Sequence, residues 1–454
     1  MAQLTLLDIL NLESFVREQD AYFDAAFLRD LFSSKIVRSQ ATGKDGVRVP
    51  AFEGRLATEA QLIARKISAG TYRFTTYKER LILRGAKRAP RQISIPTVRD
   101  RLTLRAICQL LHDHIPPTRS VTPHTLVKRV VAHIREGDQA ANSFVRIDVE
   151  NFFPSLSHPI LQRELRKAGV IPLVQNLCSM AITNPTGSPS PLPDRGVPQG
   201  LSISGALAAL YMLRFDEQQL RSNPSYFRYV DDILYICPTK DADDLLRTVS
   251  AKLRARGLKI HAKGTAGKTE ISPVQDGVDF LGYRITRGKV SIRESSYKRM
   301  FNNLQGVLTD FKHRRDTEKT LFRLNLKITG CIVDKRRRGW MMFFSYTECL
   351  SQLKFLDIFI DRQLARVGFP VEKRPEVKRF VKSHHEIKFN LSQTSYIPNF
   401  DEFDVNQMTT AISAMTRHTI EEISTWDIER VQREFGRVIA HEVQDLERDV
   451  GSPS

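Results

Sequence analysis

An α+β fold, a small antiparallel sheet set within a largely helical chain, is what this sequence predicts, on three observations. Strand-like runs cluster mid-chain: FVRIDVENFF at 144–153, RYVDDILYI at 228–236 and FLGYRI at 280–285. Stretches with apolar residues at helical spacing surround them, over 4–37, 55–69, 102–111, 124–135, 159–181, 241–260, 295–367 and 419–447. Third, carboxylates interrupt the apolar strands, where burial of a lone ionised group is costly unless it is paired or metal-bound.

The stretch 228–236 organises the rest. Tyr229-Val230-Asp231-Asp232 lies between a basic residue and the run Ile233, Leu234, Tyr235, Ile236. β-branched and aromatic flanks read as two short strands, so the two Asp occupy a hairpin turn. Successive strand residues face opposite sides, but a tight turn lets at least one carboxylate aim outward. Asp148 interrupts the apolar strand 144–149 in the same way. Asp148, Asp231 and Asp232 together would make a hard-oxygen site suited to Mg²⁺.

Composition narrows the class. Lys and Arg outnumber Asp and Glu by 69 to 51, a net charge of +18, which points to a polyanionic partner, most simply nucleic acid. The charge is uneven: residues 1–367 carry a net +22 and residues 368–454 a net −4, so the polyanion belongs to the first four-fifths. The five cysteines (108, 178, 237, 331, 349) form no Cys-x-x-Cys pair, which argues against a structural zinc or a disulfide scaffold and fits a reducing cytoplasm. With no signal pattern at the N-terminus and no run of 18 apolar residues, neither secretion nor a membrane span is expected.

In chain order, two helices over 4–37 rest on Leu4, Leu7, Ile9 and Leu10, then Phe23, Phe27, Leu28 and Leu31. A polar turn at 41–49 and a helix over 55–69 follow. Residues 78–105 hold nine basic side chains against two acids, and Leu81 and Leu83 face Ile93 and Ile95 across Gly85 and Pro90, a predicted β-hairpin. Lys87, Arg88 and Arg91 would lie at its tip and return strand. The loop 184–200 carries five prolines and ends in Gln199-Gly200, which opens a small-residue helix, LSISGALAALYML. The stretch 241–260 has an acidic start and a basic end, as the helix dipole favours, and Gly257 closes it. Residues 295–367 read as helical and basic, with Lys335, Arg336, Arg337 and Arg338 placed to follow a phosphate backbone. The 419–447 pattern (Ile420, Ile423, Trp426, Ile428, Val431, Phe435, Val438, Ile439, Val443, Leu446) is an amphipathic helix. It would dock on the preceding helices or form a subunit interface. His384, His385 and His441 lack metal-ligand company and read as core or surface residues.

Asp148, then RGVPQGLSIS at 195–204, then the YVDD turn, then FLGYRI at 280–285, together resemble the palm motifs of reverse transcriptases. The run RQISIPTVRDRLTLRAI is similar to the fingers segment of the same family, the GKDGV turn at 43–47 resembles the region just upstream of the fingers in group II intron and related bacterial enzymes, and the stretches 324–345 and 353–364 are similar to the thumb of group II intron-like and bacterial defence enzymes. The resemblance covers roughly residues 40–365. It implies a right-hand polymerase: an N-terminal helical region 1–77, fingers 78–143, palm 144–292 with a fingers insertion at about 158–195, thumb 293–367 and a helical C-terminal extension 368–454.

The resemblance also implies site roles. Asp148, Asp231 and Asp232, with the Val149 carbonyl, would hold two Mg²⁺ ions, with Mn²⁺ as an alternative. Arg91 and Lys87 would contact the triphosphate, Gln199 and Gly200 the nucleotide and template, and Phe153, five residues after Asp148, would clash with a 2′-hydroxyl and select dNTPs. Ser204-Gly205 stands where the family often has Ser-Pro. Lys268 matches a lysine behind the active site that protonates pyrophosphate, or else it is structural. Arg99 and Arg101 read equally as partners of Asp100. Tyr229, Gly282, Tyr283 and Arg337 would contact primer and template. The expected partners are an RNA template, which a dedicated non-coding RNA could supply, dNTPs and the DNA product, with a homo-oligomer or partner protein through the C-terminal helices and no membrane. The activity implied is RNA-directed DNA synthesis in antiphage defence. Two rivals stand beside it: a template-independent or protein-primed DNA polymerase, and a non-catalytic RNA-binding scaffold.

Overall fold

The computed structural model describes residues 18–37, 39, 41–83, 90–136, 141–188, 193–265 and 268–450. Leu4, Leu7, Ile9, Leu10, Gly85, Lys87 and Arg88 lie outside them. The chain forms two compact units, residues 1–121 with 145–271, and residues 122–144 with 272–454. This partition differs from the five-part reading: residues 293–367 and 368–454 share one unit, and 122–144 joins them.

In the first unit, a hairpin pairs β1 (Lys78–Ile82) with β2 (Arg91–Ile95), Lys78 opposite Ile95. Leu83 lies past the end of β1 and is 82% exposed, so it is not part of the ladder. The helix Val98–His114 starts on Thr97, whose hydroxyl accepts from the Asp100 amide. The buried Asp100 carboxylate also accepts from the Tyr72 hydroxyl (2.8 Å) and the Thr75 amide (3.1 Å). Arg99 pairs with both oxygens of Glu59, and Arg101 bonds Ser39 and the Ala41 carbonyl. The two arginines therefore tie the N-terminal helices to this helix rather than pairing with Asp100. The expected 159–181 helix is two, His158–Lys167 and Pro172–Thr183, because Gly169 adopts a positive φ and Pro172 restarts the helix.

The central sheet has the order β4-β5-β3-β6, with β3 Asn142–Asp148, β4 Tyr226–Tyr229, β5 Asp232–Pro238 and β6 Glu270–Pro273. Alternation sorts its faces. Val145 and Ile147 along β3, Val149 just past its end, and Ile233, Tyr235 and Cys237 along β5 join the first unit's apolar core with the helices 98–114 and Ser204–Ser222. Arg146, Asp148 and Asp232 therefore face the other side.

In the second unit, β7 (Val278–Phe280), β8 (Tyr283–Ile285) and β9 (Val290–Ile292) form an antiparallel meander. The helices Glu294–Arg314, Thr317–Thr329 and Leu350–Arg366 follow. The expected helix through Lys335–Arg338 is instead a hairpin of β10 (Cys331–Val333) and β11 (Arg336–Arg338). Gly330 and Gly339 interrupt the helix, and Asp334 and Lys335 take positive φ as its two-residue turn. The Asp401 carboxylate accepts from both turn amides, at 2.8 and 2.7 Å.

The C-terminal pattern also divides. Ile420–Ser424 is a short helix, and Asp427 caps the long helix Ile428–Val450 by accepting from the Arg430 amide. Ile420 and Ile428, expected on the apolar face, are exposed. Val431, Phe435, Ile439 and Leu446 share a core with Leu326 and Ile412. Charge then locks the long helix in place. Arg323 binds both oxygens of Glu442, and Lys327, nearly buried, lies 2.8 Å from both Asp445 and Asp449. Arg338 pairs with Glu447. The acidic tail is thus matched to basic helices of its own chain, and the helix's apolar face is covered within the unit. His384 is buried and bonds the Thr347 carbonyl, and all five thiols are buried and free. Among the described residues no helix is long and apolar enough to cross a membrane.

Candidate active site

The YVDD segment is a two-residue hairpin turn: Tyr229 pairs with Asp232 in the ladder, leaving Val230 and Asp231 as central residues. Val230 has φ 56° and Asp231 has no positive φ, the pattern of a type II′ turn. That conformation costs a β-branched residue about 1–2 kcal/mol. The Val149 amide donates to the Asp231 carbonyl at 3.3 Å, joining the turn to the end of β3 just after Asp148.

The three carboxylates meet different partners. Asp148, 3% exposed, takes Lys268 Nζ on both oxygens at 3.0 Å, and His261 Nε2 lies 3.2 Å from it. Asp231 is only partly covered, and among the described residues it has no ion pair. Burial raises its pKa, the charge of Asp148 adds to the rise, and Lys268 and Arg91 pull it back. Asp232 is fully buried, with each oxygen 3.1 Å from an Arg146 nitrogen. Burial pushes its carboxyl up to about 6 even against the pull of Arg146. The sequence reading set Asp232 among the metal ligands; the structure gives both its oxygens to Arg146. Among the described residues no group of three metal-ligating side chains gathers. Asp148 and Asp231 are two carboxylates in mutual repulsion, a pair whose hard oxygens suit a hard cation.

Sequence reasoning missed Arg146, though the signal was there: a charge two residues before Asp148 shares its strand face. His261 carried no such signal, since it reaches Asp148 through the bridge pairing Val149 with Ile260.

Three of the expected substrate residues of the first unit, Arg91, Gln199 and Gly200, meet at β2. Arg91 Nε donates to the Gln199 side chain, and the Ser94 amide donates to the Gln199 carbonyl at 2.7 Å. Gly200 has φ 105°, and a Cβ there would lie 2.6 Å from the Ser94 carbonyl oxygen, so only glycine lets β2 pass this close. Phe153 is half-buried and packs edge-on against Phe152. Tyr229 is half-buried in β4, and Lys87 lies outside the described residues.

In the second unit, Leu281 and Gly282 form the β7–β8 turn, both with positive φ. Tyr283, expected at the primer, is wholly buried, and its hydroxyl donates to the Phe343 carbonyl at 2.5 Å. Its ring belongs to an aromatic cluster with Phe343 and Phe344, so a direct primer contact is closed to it. Gly282 is buried too, with the Phe344 ring 3.2 Å from where a Cβ would sit. Arg337 is exposed on β11.

Residues 80–285 match the family model described as reverse transcriptase (RNA-dependent DNA polymerase). The match opens in β1 and closes at the end of β8, so it holds Asp148, Asp231 and Asp232. By that domain the chain is an RNA-directed DNA polymerase, a nucleotidyltransferase. The chain is similar to protein YkfC of Escherichia coli K12, 23% identical over 298 residues, covering 54% of this chain and 76% of that protein. Among solved structures it is similar to telomerase of Candida albicans bound to a fragment of telomeric RNA (TM-score 0.43, 15% identity, 88% of this chain and 67% of that one). It is also similar to apo telomerase of Candida tropicalis (TM-score 0.40, 13% identity, 80% and 69%).

Proposed function

We propose that the chain copies an RNA template into DNA with Asp148 and Asp231 as metal-holding carboxylates, as a cytoplasmic enzyme of bacterial antiphage defence. The observation that carries the reading is the hydrogen bond from the Val149 amide, next to Asp148, to the Asp231 carbonyl, with the Asp148 charge acting on the Asp231 carboxylate. Two Mg²⁺ ions bound there would supply an activated primer hydroxyl and charge stabilisation for departing pyrophosphate.

The chain's own residues do the rest. Asp148 and Asp231 present hard oxygens from two strands held rigidly by the sheet. Lys268 neutralises Asp148 through both its oxygens, and would be the ammonium nearest the departing pyrophosphate were that carboxylate to hold a cation. Arg91, set by Gln199, offers a planar donor pair to the triphosphate, with Lys87 as its partner. Phe153 screens the sugar. Gly200 keeps the backbone open to the base pair, Tyr229 borders the primer end, and the Val149 carbonyl would add a further oxygen to a bound cation. Asp232 acts through Arg146 in shaping the sheet. In the second unit, Gly282 and Tyr283 build a rigid hairpin, and exposed Arg337 meets template–primer phosphates. The likeness of the thumb stretches to defence enzymes supports the biological role.

Purified protein is to be assayed for Mg²⁺-dependent dNMP incorporation on primed and co-purifying RNA, beside Asp231→Ala, and both are to be tested in cells for plaque reduction. Incorporation by the wild type alone, with phage protection lost in the variant, is expected. Absence of incorporation on any RNA overturns the polymerase mechanism. Full protection by Asp231→Ala favours a binding scaffold.

A further inference from the structure

We propose that Arg228 and Asp216 are positioning residues of the polymerase site, holding the carbonyl of Val230 and thereby the turn that aims Asp231. The proposal rests on the polymerase reading above. Its starting point is a residue type at odds with its backbone. The first central position of a type II′ turn ordinarily takes glycine, yet here it is Val230, with φ 56°. The Val230 side chain packs against the first unit's core. Packing keeps the side chain in place, but something must also hold the peptide in the left-handed region.

Arg228 does so. Its Nη1 donates to the Val230 carbonyl at 2.9 Å. Its Nε donates to Asp216 Oδ1 at 2.7 Å, and its Nη2 donates to Asp216 Oδ2. All three guanidinium nitrogens are therefore engaged with the protein's own atoms. Asp216 is itself fixed, since the Tyr226 hydroxyl donates to its Oδ1 at 2.6 Å and its backbone lies in the helix 204–222. Both partners are largely buried, with side-chain exposures of 11% and 21%. The chain of contact runs from a rigid helix through Asp216 and Arg228 to the peptide directly before Asp231. On the turn's other side the Val149 amide holds the Asp231 carbonyl. The turn is thus gripped at two consecutive carbonyls, Val230 by Arg228 and Asp231 by Val149, which fixes the backbone from which the Asp231 carboxylate projects. A lysine at 228 could not reproduce this, because a single ammonium cannot span both Asp216 oxygens and the Val230 carbonyl.

The test is a double-mutant cycle of Arg228→Gln and Val230→Gly. It reads kcat, the dNTP KM and the melting temperature, plus calorimetric Mg²⁺ binding to protein without primer or template. In the otherwise wild-type chain Arg228→Gln should lower kcat about 30-fold, leave KM within about twofold and weaken Mg²⁺ binding about fivefold. In the Val230→Gly background the kcat loss should shrink to about threefold, because glycine holds positive φ unaided. Equal losses in both backgrounds overturn the proposal, as does a lower melting temperature with kcat per folded molecule unchanged. If Arg228→Gln fails to fold, Arg228→Lys takes its place in the same cycle, read by the same two outcomes. A wild type inert on every template overturns the polymerase reading instead; the Mg²⁺ titrations still report on the brace.

Discussion

Replacing Arg146 by methionine removes one half of a sealed ion pair. Asp232 has no exposure, the Arg146 side chain has 2%, and each carboxylate oxygen has an arginine nitrogen 3.1 Å away. Two unit charges at about 4 Å in an effective dielectric of about 20 attract by about 4 kcal/mol. Loss of one partner of a buried pair typically costs about 3–5 kcal/mol, because the other charge is stranded. A cost near 4 kcal/mol corresponds to a melting temperature lower by roughly 10 °C for a unit of this size. Amide exchange along β3 and β5, read by mass spectrometry, should quicken by about 100-fold or more. The penalty also has a sign with pH. With Arg146 present, burial already lifts the Asp232 carboxyl to about 6, above its ordinary 3.8. Without the arginine it rises further, so the unfolded chain releases this proton first as pH rises. Stability is then lost from about pH 4 up through the folded value, and the variant should be closer to wild type at pH 5 than at pH 8. Arg146→Met with Asp232→Asn should recover most of the stability, since no charge is then stranded. The reasoning is refuted if Arg146→Met costs under about 1 kcal/mol, or if the double variant is no more stable than the single one. The double variant also divides Asp232's roles: recovered fold with recovered incorporation makes it structural, and recovered fold without incorporation makes it a ligand.

Three further outcomes follow from other contacts. Gly200→Ala puts a Cβ 2.6 Å from the Ser94 carbonyl at φ 105° and should cost about 2 kcal/mol, with a higher dNTP KM as Gln199 and Arg91 shift; thermal unfolding and steady-state kinetics check it. Lys327→Met strands the buried Asp449 of the C-terminal helix and should cost about 3 kcal/mol, read as faster proteolytic release of residues 428–450. Burial, then Lys382, lowers the Lys378 ammonium to about 8 from 10.5. The unfolded chain therefore binds more protons between those values, and stability should rise with pH across about 8 to 10.5; denaturant titrations of wild type and Lys378→Met should diverge below that window and converge above it.

Much of the site was legible because its signals are local. A lone Asp in an apolar strand, two Asp in a tight turn and a Gln-Gly ending a proline-rich loop each break a pattern within a few residues. Element boundaries failed where a local break was weighed too lightly. Gly169 and Pro172 split one helix, Gly330 and Gly339 turned another into a hairpin, and Asp427 capped a helix read as beginning earlier. Tyr283 failed for a different reason: an aromatic beside a glycine turn reads the same whether it meets a ligand or fills a core, and only its packing on Phe343 and Phe344 decides.

By itself the sequence determined the class of the chain: a mixed fold with acidic residues at a strand end and a turn, a basic body and an acidic C-terminal helix. Periodicity and residue type are properties of neighbours along the chain, so these needed no coordinates. Only the tertiary structure decided which cation each carboxylate meets. Lys268 stands 120 residues from Asp148, Arg146 stands 86 from Asp232, and Glu442 stands 119 from Arg323. Ion pairing depends on distance in space and on exclusion of water, and spacing along the chain encodes neither.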